Sequence, residues 1–182
     1  MKNLKVFRIT LTLLILFGAS YLFSTVYFIA TNSDAESFIP VGQSQIGFEN
    51  NEFSTINFEL SGDSLWFHSN TNANTGSFSI QSGNITHNQN STISLDLIVM
   101  DSGYMGFHYL IDAEHSPSGN EFYDGLKFYI NGELIDQFQP DDDGNSSWRY
   151  YERLMNSGNY TFSWAYVKDS GDGSTASDLD CA

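Results

Sequence analysis

From residue 45 onward the chain alternates short apolar runs with turn signals, and no long apolar repeat of helical period is present. Runs at 45–49, 55–60, 64–69, 76–82, 91–100, 103–112, 125–132, 132–139, 147–154 and 159–168 read as strands. Period-two alternation is clearest late in the chain. Leu126, Phe128 and Ile130 share one face, with Lys127 and Tyr129 on the other. Tyr160, Phe162, Trp164 and Tyr166 share a face opposite Thr161, Ser163, Ala165 and Val167. Such alternation gives an antiparallel sheet one packed face and one wetter face. The punctuation agrees. Asn131-Gly132 is a two-residue hairpin signal, Asp124-Gly125 opens a strand, and Ser157-Gly158-Asn159 marks a reversal. Short strands at such spacing predict an all-β, two-sheet antiparallel β-sandwich over residues 45–182.

A different pattern precedes it. Residues 9–30, ITLTLLILFGASYLFSTVYFIA, run 22 positions without a charge, after a basic flank of Lys2, Lys5 and Arg8. A helix of that length reaches about 33 Å, enough for a bilayer core of about 30 Å. The pattern predicts a single N-terminal transmembrane or signal helix, either an uncleaved signal anchor or a long cleaved signal peptide. The basic flank predicts residues 31–182 outside a cell membrane and residues 9–30 as its membrane contact, or a secreted chain if the helix is cleaved. Residues 31–44 read as a stalk.

Charge changes the picture of partners. All 22 acidic residues follow position 33, against four basic ones there (Lys127, Arg149, Arg153 and Lys168), a net charge of about −18 for that part. That excludes nucleic acid as an expected partner, because its phosphates demand a basic footprint. The single cysteine, Cys181, closes no intrachain disulfide and leaves an interchain one open. Asn84, Asn90, Asn145 and Asn159 stand in N-x-S/T sequons.

Candidate chemistry is sparse. Asp141 and Asp143 flank a third aspartate in a turn, and Asp169, Asp172, Asp178 and Asp180 stud the last stretch. Clustered carboxylates on flexible loops suit Ca2+, and equally suit solvent. Glu114, Glu121 and Asp124 bracket a loop that brings carboxylates toward one rim, whereas Trp148, Tyr150 and Tyr151 are candidates for an exposed aromatic ligand surface. His68, His87, His108 and His115 lack zinc-ligand spacing, and neither a nucleophile elbow nor a phosphate-binding glycine loop occurs. No catalytic residues are expected.

Several motifs together carry a resemblance. Gly47-Phe48-Glu49, Trp66, Thr75-Gly76-Ser77-Phe78-Ser79 with Ser82-Gly83 and Ile85, and Gly106-Phe107-His108-Tyr109 appear in that order. They are followed by Tyr123-Asp124-Gly125-Leu126 through Asn131-Gly132, then Gly158-Asn159-Tyr160-Thr161-Phe162 and Trp164-Ala165-Tyr166-Val167-Lys168-Asp169. The order resembles extracellular bacterial or archaeal β-sandwich modules of the concanavalin/MAM-like jelly-roll kind, over residues 45–182. Asn131 and Asn159 depart from the aspartate and histidine usual at those places. The resemblance implies surface presentation and non-catalytic adhesion or glycan recognition. It also implies a closing strand after the acidic loop, where this sequence reads Cys181-Ala182. Three functions follow as expectations: a membrane-held adhesion or accessory module, a calcium-assisted carbohydrate-binding module, and the accessory part of a longer extracellular enzyme.

Overall fold

The structure, a computed structural model, describes residues 28–29, 46–50, 52–114, 121–140 and 147–170. These residues form an all-antiparallel structure of several sheets. The strands are β1 (Phe28–Ile29), β2 (Glu59–Gly62), β3 (Phe67–Ser69), β4 (Ser79–Gln81), β5 (Asn90–Val99), β6 (Gly103–Tyr109), β7 (Gly125–Ile130), β8 (Glu133–Phe138), β9 (Arg149–Met155) and β10 (Gly158–Val167). A short helix, α1 (Glu52–Thr55), precedes β2.

The main sheet has six strands in the open order β1-β5-β10-β7-β8, with β2 sharing the β5 edge that also holds β1. Its centre is the long β5–β10 pair, in register from Gly158 opposite Val99 to Val167 opposite Asn90. The pleat sorts β5 cleanly. Ser91, Ile93, Leu95, Leu97 and Val99 are buried, while the residues between them are half-buried or exposed. On β7 the predicted face holds, with Leu126, Phe128 and Ile130 buried; on β10 Phe162 and Tyr166 are buried, Tyr160 and Trp164 of the same face are half-buried, and Ala165 is buried on the other side. The opposite face is polar and cross-linked. The Ser94 hydroxyl donates to Ser163 at 2.8 Å, and the Thr161 hydroxyl donates to Asp96 at 2.6 Å.

The covering layer consists of two separate ladders, β3–β4 and β6–β9. Phe107 of β6 seats the second ladder on the main sheet, with its ring 5.1 Å from Phe128 and 5.6 Å from Trp164. Tyr151 of β9 joins it at 5.5 Å from Phe128. Trp66 fixes the entry to β3: its buried indole N–H donates to the Ser91 carbonyl at 3.0 Å. The hydroxyl of Ser91 donates to the Ser64 carbonyl and accepts from the Gly83 N–H, so this buried polar position is satisfied.

The β7–β8 hairpin turns on Asn131 and Gly132 with φ of 52° and 80°, as an Asn-Gly turn between right-twisted strands requires. Ser157 does not close a hairpin. β9 pairs with β6 and β10 with β5 and β7, so the tight Asn156-Ser157 link carries the chain from one sheet to another. The opening run at 45–49 is not a strand over residues 46–49, and Thr55 belongs to α1.

The N-terminal helix expectation is corrected. Phe28 and Ile29 are extended and pair antiparallel with Val99 and Ile98, so the end of the apolar run satisfies its backbone on a sheet edge, not in a helix. Among the described residues no helix is long and apolar enough to cross a membrane. The rest of the proposed span, 9–27 and 30, lies outside the described residues, as does the stalk at 31–44. The membrane contact, the single-pass cell-membrane placement and the signal-helix assignment rested on that helix and are corrected with it.

Candidate binding surface on the β6–β9 ladder

The β6–β9 register determines what each strand shows to solvent. Met105, Phe107 and Tyr109 of β6, with Tyr151 and Met155 of β9, face the core or its margin. The outward residues pair as Tyr104 with Leu154, Gly106 with Glu152, and His108 with Tyr150. Tyr104, Leu154 and Tyr150 are 61%, 59% and 54% exposed, which is high for large apolar side chains. The outward face of the ladder thus leaves two tyrosine rings and a leucine exposed to solvent.

Gly106 makes the face flat. The Tyr150 ring lies across it, and a methyl group at position 106 would overlap the Tyr150 hydroxyl. The His108 ring lies 4.7 Å from Tyr150, tilted by 39°. The Tyr150 hydroxyl donates to Glu152 Oε2 at 3.3 Å. Loss of solvent at the phenol, the neighbouring Glu152 charge and this hydrogen bond together hold Tyr150 above its ordinary value of about 10. The surface therefore presents a phenol, an imidazole ring and an acidic side chain side by side.

Beneath it, Arg149 anchors the start of β9. Its guanidinium sits 4.9 Å over the Tyr109 ring, and Nη2 donates to the Gln139 carbonyl. Beside β6 lies a gap of about 410 Å³, lined on the main-sheet side by Ile93, Leu95, Phe162 and Trp164.

The expected aromatic trio is split. Tyr150 is exposed, Trp148 is half-buried and lines the gap beside β6, and Tyr151 points the opposite way into the aromatic core. Adjacent residues on a strand cannot line one surface, and the strand runs through both tyrosines. Tyr104 and His108, not in that set, complete the face because β6 is the partner of β9. Their alternation with Met105 and Phe107 is the signal that locates them.

The carboxylates do not gather. Asp124 is buried and spent on structure, with Oδ2 3.2 Å from Lys168 Nζ and Oδ1 accepting the Asp169 N–H at 2.9 Å. Glu121 is exposed and accepts from the Tyr123 hydroxyl at 3.1 Å; Glu114 is half-buried. The Asp169 carbonyl accepts the Asn88 N–H, so this residue ties the end of β10 to the loop before β5. Asp141, Asp143, Asp172, Asp178, Asp180, Asn145, His115 and Cys181 lie outside the described residues. Asn84, Asn90 and Asn159 are exposed. Among the described residues no three His, Cys, Asp or Glu side chains are grouped to hold a metal ion. His68 is a packing residue: its ring stacks 4.6 Å from Phe78, and Nε2 lies 2.8 Å from the Phe48 carbonyl oxygen.

No family model matches the chain. No curated protein matches it either. Among solved structures, the chain is similar to the secreted serine protease VesC from Vibrio cholerae, at 19% identity and a TM-score of 0.40. That match covers 56% of this chain and spans 19% of the protease's chain.

Proposed function

We propose that the chain is a non-catalytic accessory or adhesion module that binds saccharide on the outer face of the β6–β9 ladder, within a jelly-roll-like sandwich. The observation that carries this reading is the exposed Tyr104–Tyr150–His108 surface laid flat over Gly106, with Glu152 at its side. Flat aromatic rings accept the C–H faces of sugar rings, while a carboxylate and an imidazole accept and donate to hydroxyls. The Tyr150 ring is seated over Gly106 and hydrogen-bonded to Glu152, which lessens the ordering that binding must impose on it.

The test is titration of immobilised oligosaccharides of several backbone types with the full chain. Tyr150→Ala is expected to weaken capture at least tenfold, and Leu154→Ala much less. Equal loss in both variants, or capture unchanged by Tyr150→Ala, removes the saccharide from this face. Calcium enters this reading only through the acidic stretches around Asp141, Asp143, Asp172, Asp178 and Asp180. A thermal midpoint raised by Ca2+ and returned by EDTA supports it. An unchanged midpoint removes calcium from the proposal.

A further inference from the structure

The β6–β9 register sets six outward residues in two facing rows: Tyr104, Gly106 and His108 on β6, and Leu154, Glu152 and Tyr150 on β9. Glu152 holds the middle place, opposite the bare Gly106 and between Tyr150 and Leu154 along its own strand. Side chains opposite or diagonal to one another on a sheet face lie within reach. An acidic side chain is thus bordered by the exposed Tyr104 and Tyr150 rings and by His108, with no side chain directly across from it.

Glu152 has no cation of its own. It is exposed, and among the described residues its one hydrogen bond is the one it accepts from the Tyr150 hydroxyl at 3.3 Å. Among the described residues it forms no ion pair. The two arginines of β9 are directed elsewhere. Arg149 lies over the Tyr109 ring and donates to the Gln139 carbonyl, and Arg153 stands opposite Met105, on the other side of the pleat. Of the six outward residues, Glu152 is the only Asp, Glu, Lys or Arg. Its charge acts on the Tyr150 phenol beside it.

An aromatic face attracts a cation held within about 6 Å of the ring centroid, and a carboxylate at its side adds an ion pair. A ligand that brings an ammonium to this place gains both. A uronate or a sulfated sugar meets repulsion there, and again from the net charge of −15 of the whole chain.

We propose that the outer face of the β6–β9 ladder selects saccharides with free amines, setting the ammonium of an amino-sugar unit on Glu152 and its ring on Tyr150. This rests on the saccharide reading of the same face and adds the charge class of the sugar. Acetylation of the amine removes its charge and both contacts, leaving only ring faces and hydroxyls to bind.

The test uses the full chain and three labelled oligosaccharides of equal length and linkage, built from glucosamine, N-acetylglucosamine or glucose. Binding is followed by fluorescence anisotropy at mildly acidic pH, where the sugar amines carry their protons. The free-amine form is expected to bind about tenfold more tightly than the other two, the sum of an exposed ion pair and an exposed cation–π contact. Glu152→Gln is expected to remove that advantage and leave the two uncharged sugars unaffected, whereas Tyr150→Ala weakens all three. Equal binding of the three sugars overturns the proposal and leaves the saccharide reading standing. Failure of all three to bind overturns both. Glu133→Gln, which removes a charge on the distant β8, controls for adsorption: a loss equal to that of Glu152→Gln shows net charge alone at work and overturns the proposal. So does a lysine oligomer of the same charge that binds as tightly, because the amine alone is then read. The Tyr150 titration of the free chain is expected to be unmoved by the combined changes Lys2→Gln, Lys5→Gln and Arg8→Gln. A rise would set the chain's own basic end on Glu152 and overturn the proposal.

Discussion

The buried pair Asp124–Lys168 supports a quantitative prediction about stability. Both side chains are nearly inaccessible, at 2% and 6%, and their charged atoms are 3.2 Å apart. At an effective dielectric constant of about 20, attraction across that distance is about 5 kcal/mol, much of it opposed by desolvation of both ions. Breaking one side is therefore worse than removing both. Asp124→Asn keeps an acceptor for the Asp169 N–H but removes the negative charge beside the Lys168 ammonium, and Lys168→Met removes the positive charge beside the Asp124 carboxylate. Each single variant is expected to lose about 3–5 kcal/mol, and the double variant to recover at least about 2 kcal/mol of the sum. Urea unfolding of the four chains, followed by tryptophan fluorescence with m held common, measures this coupling. Single variants that each lose less than about 1 kcal/mol, or losses that simply add, would refute the reasoning. In either case solvent reaches the pair and the end of β10 is held by other contacts.

Other expectations concern the turn, the core and the binding face. Asn131→Ala is expected to lose about 1–3 kcal/mol by urea unfolding, because it strains a residue at φ 52° and removes the Oδ1 that accepts the Thr161 N–H at 2.8 Å. Phe162→Ala, at a fully buried ring between β5 and β7, is expected to lose about 3–5 kcal/mol in the same assay. The raised Tyr150 titration is read from the alkaline ultraviolet difference between the chain and its Tyr150→Phe variant. Glu152→Gln is expected to move it down toward the ordinary value of about 10. The sign is that of a raised group: the stability that goes with the neutral phenol is complete below the unfolded value and lost as pH rises through the folded one. A Tyr150 midpoint unmoved by Glu152→Gln would show that the carboxylate does not act on it.

The strand inventory was legible because the alternation is local. β5 and β7 bury the residues that their period marks, β10 buries only Phe162 and Tyr166 of its marked face and Ala165 of the other, and the Asn131-Gly132 turn is written in two residues whose backbone preferences match it. The site was legible only in part. Trp148, Tyr150 and Tyr151 are neighbours in sequence, yet the pleat divides the two tyrosines. The residues that share the Tyr150 face come from β6, some forty positions earlier. Asp124 reads like a rim carboxylate until Lys168 is seen beside it. The apolar run at 9–30 has the composition of a membrane helix, and composition alone cannot register that its residues Phe28 and Ile29 find hydrogen-bond partners on β5.

The sequence by itself determined the class of the protein: short alternating antiparallel strands, most of their inward faces, the Asn131-Gly132 turn, and a net charge of −15. Those properties follow from residue types at neighbouring positions, where backbone preference and side-chain period act directly. Only the tertiary structure decided which strands pair, that β9 leaves β10 for β6, and that Tyr104, His108 and Tyr150 share one face. Those are contacts between residues far apart in the chain, chosen by how whole faces bury one another, and no local pattern encodes the choice.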